Sequence, residues 1–337
     1  MRNDKPGEDG PILAPIRQTR IAKSPPIAST QPRHLGRVVL WMTGTLLSFS
    51  AMAVSIRELS RTLSVMEILV LRAGIGLAIV GVVAALRPEL RQTISRDRFG
   101  LHLLRNTVHF ASQYLWAMSL LVLPLATVFA LEFTMPAWTI LLAPIFLGER
   151  LTPSRIGAVI LGLAGVLVIL RPGLATFQPA ALFVLVAALG YGAQNIVTKK
   201  LTMTQSTFAI VFWMNAIQLV LALAGAGVSF ADKIALDQSP VIAVLGSAGL
   251  FAHFCLSNAF RAGDASVVVP LDFLRIPLIA LVGWWFYAEP LDVFVFAGAG
   301  LIVSGIVWNL HSEAHRLPPF ATIRTIADEG GPGSRNG

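Results

Sequence analysis

Apolar runs of about twenty residues, separated by short polar stretches, recur from residue 36 to residue 311. A helix rises 1.5 Å per residue, so roughly 20 mostly apolar residues are needed to cross lipid. Ten segments reach that length: 36–56, 63–86, 101–123, 125–147, 152–170, 178–198, 205–229, 240–260, 265–287 and 292–311. The pattern predicts an all-α membrane protein with ten transmembrane helices. VLPLAT (122–127) and RAGDAS (261–266) leave only a few residues for a turn, so the helices flanking each must be antiparallel neighbours. The flanks, 1–35 and 312–337, are polar and read as disordered tails. The first is basic and has no short apolar core ahead of a small-residue cleavage site, unlike a signal peptide.

Composition agrees. Of 337 residues, 55% are hydrophobic and 13% charged, and mean hydropathy is +0.71. Soluble domains carry about 25% charge. The net charge of +8 does not point to nucleic acid, because the cations cluster in tails and short loops. Only Arg57, Arg61, Arg171 and Lys233 fall in predicted outer segments, and Arg72, Arg105 and Arg275 lie within spans. Every other Lys and Arg falls in the tails or inner loops if the N-terminus is inside, so both termini are expected to be cytoplasmic in a bacterial inner membrane. The single cysteine, Cys255, allows no intrachain disulfide.

The chain also repeats itself. A shift of 140 residues lays 147–170 over 287–310, matching Glu149 with Glu289, Leu151 with Leu291, Gly165 with Gly305 and Leu170 with Leu310. The same shift matches Leu131-Glu132-Phe133 with Leu271-Asp272-Phe273, and Gln113-Tyr114 with His253-Phe254. Two five-helix repeats are predicted, at 36–170 and 178–311. Five is odd, so the second copy enters the membrane upside down, an arrangement that places a site near the midplane and suits alternating access.

LPLATVFALEFTMPAWTILLAPIFLGERLTPSRIGAVILGLAGVLVILRPG (123–173) resembles the LPLA…AL.F..P…LGER…G..GV…RPG block of EamA-type transporters in the drug/metabolite transporter superfamily. The similarity covers about 36–311, and the second copy is worn, with AEP in place of GER and Pro277 one place from the mirror of Pro136. The resemblance implies a ten-helix carrier whose central cavity is lined mainly by the first, third, fourth, sixth, eighth and ninth helices.

Polar groups deep in these runs are the candidate chemistry, since a charge at a helix centre costs about 2.5–3.5 kcal/mol. Helix rise places Gln113, Glu132 and Arg72 in an outward tier and Tyr191, His253 and Asp272 in an inward one, with Arg275 close to the midplane. These seven are the expected substrate-binding residues. Glu132, Asp272 and His253 are also proton-coupling candidates. Structural pairing is the competing role. Asp272 and Arg275, at i and i+3, can pair locally, whereas Glu132 needs Arg72 or another helix. Arg105 is close enough to the inner surface to snorkel. Pro136 removes a backbone donor one turn past Glu132 and is expected to bend the helix there. Glu149 and Glu289 read as carboxylates set beside the helix starts that follow them, with Thr152 and Pro153 as N-cap and first-turn residue. Ala158 with Gly162, and Gly300 with Ser304, suggest close packing by the fifth and tenth helices, as scaffold or as homo-oligomer contacts.

No enzyme motif of the G-x-S-x-G, H-E-x-x-H or phosphate-loop kind occurs, and HSEAH (311–315) lacks the order of the zinc motif. No cofactor or metal is expected. The prediction is a secondary carrier, embedded in membrane lipid, for a small polar metabolite. An amino acid or related zwitterion, exported, is the first reading, and uptake of a vitamin- or nucleoside-like solute the second. A passive channel and an intramembrane enzyme are the distant rivals.

Overall fold

The computed structural model describes residues 35–147, 152–171, 178–227, 230–262, 268, 271–272 and 274–316. The regular elements among them are helices. They run α1 (Leu35–Leu59), α2 (Val65–Leu86), α3 (Pro88–Arg91), α4 (Phe99–Leu120), α5 (Leu125–Glu132), α6 (Met135–Leu147), α7 (Pro153–Leu170), α8 (Ala180–Thr202), α9 (Thr207–Gly225), α10 (Ser239–Ala262), α11 (Arg275–Tyr287) and α12 (Val293–Arg316). Two 3₁₀ turns, Phe230–Lys233 and Leu236–Gln238, precede α10. The predicted tail 1–35 lies outside the described residues apart from Leu35, and α12 extends to Arg316, past the predicted end at 311. Glu149 also lies outside them.

Among the described residues, eight helical stretches are long and apolar enough to cross a membrane: Gly36–Leu59, Val65–Leu86, Leu125–Phe146, Pro153–Leu170, Ala180–Thr202, Thr207–Gly225, Leu236–Leu256 and Val293–Ser312. Two of the ten expected spans fall short of that measure among the described residues. α4 is long enough, but it carries His102, Arg105, Asn106, His109 and Gln113. α11 is apolar, but it has only 13 residues.

Local chemistry sets the helix starts. Ser64 and Glu67 form a capping box on α2, and Glu67 also receives Lys233 Nζ at 2.7 Å. Thr152 caps α7 through the Arg155 N–H, with Pro153 following, as predicted. Ser206 caps α9.

Each long helix takes its principal neighbour from the other half of the sequence. α1 packs on α10, α4 on α8, α2 on α9, α7 on α12 and α5 on α11. Exchanging the two sets of helices leaves this pairing unchanged. The α7–α12 contact is the fifth-with-tenth pair of the sequence reading, and it lies within one chain. Of the small residues expected to make the close approach, Ala158 does so, its carbonyl 3.0 Å from where a Cβ on Gly305 would sit, and the tightest contact is between two glycines not singled out as a pair. A Cβ on Gly165 would strike the Gly298 carbonyl, and a Cβ on Gly298 the Gly165 carbonyl, so both must be glycine. Gly162 instead faces Ala137, and Gly300 faces nothing within 4 Å.

Candidate functional site

The fourth predicted span is two helices. α5 ends at Glu132 and α6 begins at Met135, with Phe133 and Thr134 in a turn between them. Pro136, the second residue of α6, has no N–H to donate to the Glu132 carbonyl, so an unbroken ladder is impossible there. The ninth predicted span breaks at the position related by the 140-residue shift: Leu271 and Asp272 are helical, Leu274 is in a turn and α11 starts at Arg275. Both breaks release side chains into the same cavity.

That cavity has a volume of about 320 Å³, at the lower end of small-molecule pockets. All seven expected site residues line it: Arg72, Gln113, Glu132, Tyr191, His253, Asp272 and Arg275. Phe49, Met52, His109, Trp116, Phe129, Met135, Gln194, Asn195 and Leu256 complete the wall. The second helix therefore contributes through Arg72, in addition to the six helices expected.

Arg275 joins the two breaks. Its Nη2 donates to both oxygens of Asp272 at 2.5 and 2.6 Å, and its Nη1 lies 3.9 Å from Glu132 Oε1. The cation that Glu132 lacked on its own helix is thus Arg275, not Arg72, and the two expected polar tiers meet there. Trp116 Nε1 donates to the second Glu132 oxygen at 2.8 Å. The Arg275 guanidinium lies over the Phe49 ring, 4.3 Å from its centroid, with Phe129 and Phe133 within 6 Å. The fixed charges of the wall balance: Glu132 and Asp272 against Arg72 and Arg275.

A second polar cluster contributes Arg72 and His109 to the wall. Arg72 Nη1 donates to Gln218 Oε1 at 3.5 Å, and Gln218 Nε2 lies 2.6 Å from His109 Nδ1. Room for Arg72 comes from Gly249, where a Cβ would sit 3.3 Å from Nη2. The His109 ring rests against Tyr191 with centroids 5.4 Å apart, and His253 meets Phe49 edge-on at 5.6 Å. Gln218 was not singled out from sequence, although it and Asn215 are the amide side chains in an otherwise apolar α9. Arg105 does not snorkel. It is buried, with Nε donating to Thr198 Oγ1 and Nη1 to Asn106 Oδ1, both at 2.7 Å. Its neighbour along this path, Gln194, bonds Asn195 and Thr198.

At the end where α1 finishes, the two sets of helices are clamped. Arg57 donates from Nε to the Leu120 carbonyl, from Nη2 to Leu120 and Leu123, and from Nη1 to Glu289. The other Glu289 oxygen accepts the Leu125 N–H at 2.8 Å. Glu289 therefore caps α5, from the far half of the sequence. The helix that follows it is served by Asp292, whose Oδ1 accepts the Phe294 N–H. Tyr287 donates to Glu58, and Arg171 pairs with Asp292 at 2.5 Å.

Among known proteins, the model of the EamA-like transporter family matches this chain twice, at residues 36–171 and 178–310. A riboflavin transporter of Rhizobium johnstonii is 32% identical over 64% of this chain and 71% of its own length. An S-adenosylmethionine uptake transporter of Rickettsia bellii is 26% identical over 66% and 76%. The pseudopaline exporter CntI of Pseudomonas aeruginosa is 25% identical over 76% and 89%. One crystal structure of a protein superposes with a TM-score of 0.56 at 16% identity, covering 84% of this chain and 99% of that one, which speaks for the fold alone. Matched over both of its halves, the chain belongs to the EamA-like transporter family, and it is a membrane transporter of a small metabolite, not an enzyme.

Proposed function

We propose that the chain is a secondary carrier that takes up a ring-bearing, polar metabolite of the vitamin or nucleoside kind, using the central cavity as its binding site. Ten spans in two oppositely oriented halves rock about that cavity to give alternating access, with both termini in the cytoplasm of a bacterium and the chain in its inner membrane. The observation that carries the reading is Arg275, held by Asp272 of its own half and reaching Glu132 of the other inside a lined cavity. A residue shared in this way can strengthen one contact as it loosens the other when the halves move. Support for a ring comes from the aromatic wall of Phe49, Trp116, Phe129 and Tyr191, and from riboflavin and S-adenosylmethionine, the solutes that two relatives are named for. The balanced charges of the wall suit a solute of no net charge.

The second reading, export of an amino acid or other zwitterion, draws on the same carboxylate and guanidinium placed side by side and on a relative named as an exporter. Glu132, Asp272 and His253 remain the proposed proton-coupling groups, and the exposed face of α7, with Ile160 and Leu167, the proposed contact of a homo-oligomer. Counterflow in proteoliposomes tests the assignment. Labelled riboflavin or uridine is expected to enter with saturation and to exchange against unlabelled solute. Exchange of amino acids alone overturns the ring-bearing reading, and flux without saturation overturns the carrier. A reporter fused to the C-terminus is expected to be active only inside.

A further inference from the structure

We propose that His109 and Gln113 together read the edge of a planar ring that carries a carbonyl beside a ring N–H, a lactam or imide, and so decide which ring-bearing solutes the cavity accepts. The inference rests on the reading of the cavity as the site for such a solute.

The argument begins with what each group can do. A guanidinium only donates hydrogen bonds, so the Gln218 atom facing Arg72 Nη1 is the amide oxygen. Turning the amide over would set NH₂ against N–H. The same amide therefore presents its NH₂ to His109 Nδ1, 2.6 Å away, and Nδ1 must accept. An imidazole whose lone pair is on Nδ1 carries its proton on Nε2. Arg72 and Gln218 are thus positioning residues, and His109 reaches the cavity it lines as a donor.

One turn along the same face of α4 stands Gln113, which also lines the cavity. It is 3% exposed, and its Oε1 has no hydrogen-bond partner in the chain. A buried acceptor without a partner costs stability unless something supplies a donor, and nearly all such groups in folded proteins find one. A donor and an acceptor one turn apart on a single wall match an edge that offers a carbonyl and an N–H. A carboxylate alone has no donor for Gln113 and an ammonium alone no acceptor for His109; an α-amino acid supplies both, so probes that alter only the ring N–H are what separate a lactam edge from it. The Tyr191 ring, 5.4 Å from that of His109, gives the plane of the solute a face to lie on.

The test uses two pairs of probes, riboflavin with 3-methylriboflavin and uridine with 3-methyluridine, in which one methyl replaces the ring N–H. Binding to the purified full-length chain in lipid nanodiscs is measured by equilibrium dialysis. At least one parent is expected to bind at least tenfold more tightly than its methylated partner, because the methyl leaves Gln113 unsatisfied. Gln113→Leu, close in size, is expected to keep the fold and bring that ratio close to one. In protein labelled with ¹⁵N-histidine, the His109 resonances, assigned by their loss in His109→Gln, are expected to show the proton on Nε2. A wild-type ratio of one, a ratio that survives Gln113→Leu, or a proton on Nδ1 overturns the inference and leaves the transport reading standing. Failure of every ring probe to bind, with amino acids exchanging in counterflow, overturns both.

Discussion

Among the arginines that tie the halves of this transporter together, Arg57 and Arg275 are held in opposite ways. Arg57 uses every donor group it has: Nε, Nη1 and Nη2 all meet oxygen, on two carbonyls and Glu289. Glu289 in turn spends its second oxygen on the first N–H of α5. Arg275 is held firmly on one side only. Asp272 takes Nη2, Glu132 stands 3.9 Å from Nη1, and Nε has no hydrogen-bond partner, the rest of the guanidinium lying against aromatic rings. A saturated guanidinium has little to gain from any rearrangement, so it serves as a fastening. An unsaturated one beside a cavity can take a new partner when a solute arrives or the halves shift. The same residue type thus fixes one end of the molecule and leaves the middle responsive, and the difference lies wholly in how many donors are satisfied.

That contrast can be broken most forcefully at Arg57. Arg57→Met strands Glu289 and two carbonyls at a site where both side chains are only 14% exposed, and it is expected to cost about 3 kcal/mol of folding stability, measured by unfolding in detergent. A change under about 1 kcal/mol would mean the clamp is ornamental. Glu132→Gln should behave in the opposite sense. An oxygen remains to accept from Trp116, so the protein is expected to fold normally while transport falls at least tenfold, about 1.4 kcal/mol. Full transport in folded Glu132→Gln protein removes Glu132 from the mechanism. Tyr287→Phe deletes one hydroxyl from the clamped end and should cost about 1 kcal/mol in the same unfolding assay, with transport unchanged. Arg61→Ala is the smallest. Its ion pair with Glu58 is solvent-exposed, and the loss should stay under about 0.5 kcal/mol. A larger loss would show that the clamp extends onto the surface.

The cavity was legible in the sequence because lipid makes polar groups conspicuous. Arg72, Gln113, Glu132, Asp272 and Arg275 interrupt apolar runs, and each interruption needs a partner inside the protein. The break after Glu132 was legible for a similar reason, since Pro136 forbids one specific hydrogen bond. What could not be read was which helix supplies each partner. Glu132 meets Arg275 across 143 positions of chain, and Glu289 caps α5 rather than the helix beside it, because packing between the halves decides both. Arg105 was misjudged because depth alone says nothing of rotation about the helix axis. It faces Thr198 on α8, so its charge is met inside the bundle. Gln218 escaped notice because an amide is a milder interruption than a charge, although buried in α9 it needs partners just as much.

The crosswise pairing of helices has a consequence for biogenesis. α1 awaits α10, α4 awaits α8 and α2 awaits α9, so a nascent chain threaded only as far as α7 holds a minority of its final lateral contacts. Its buried arginines and amides must be sheltered by lipid headgroups, water or the insertion machinery until the later helices arrive. Assembly is therefore a late, concerted event, and a ribosome stalled midway would leave a substrate for membrane quality control rather than half a transporter.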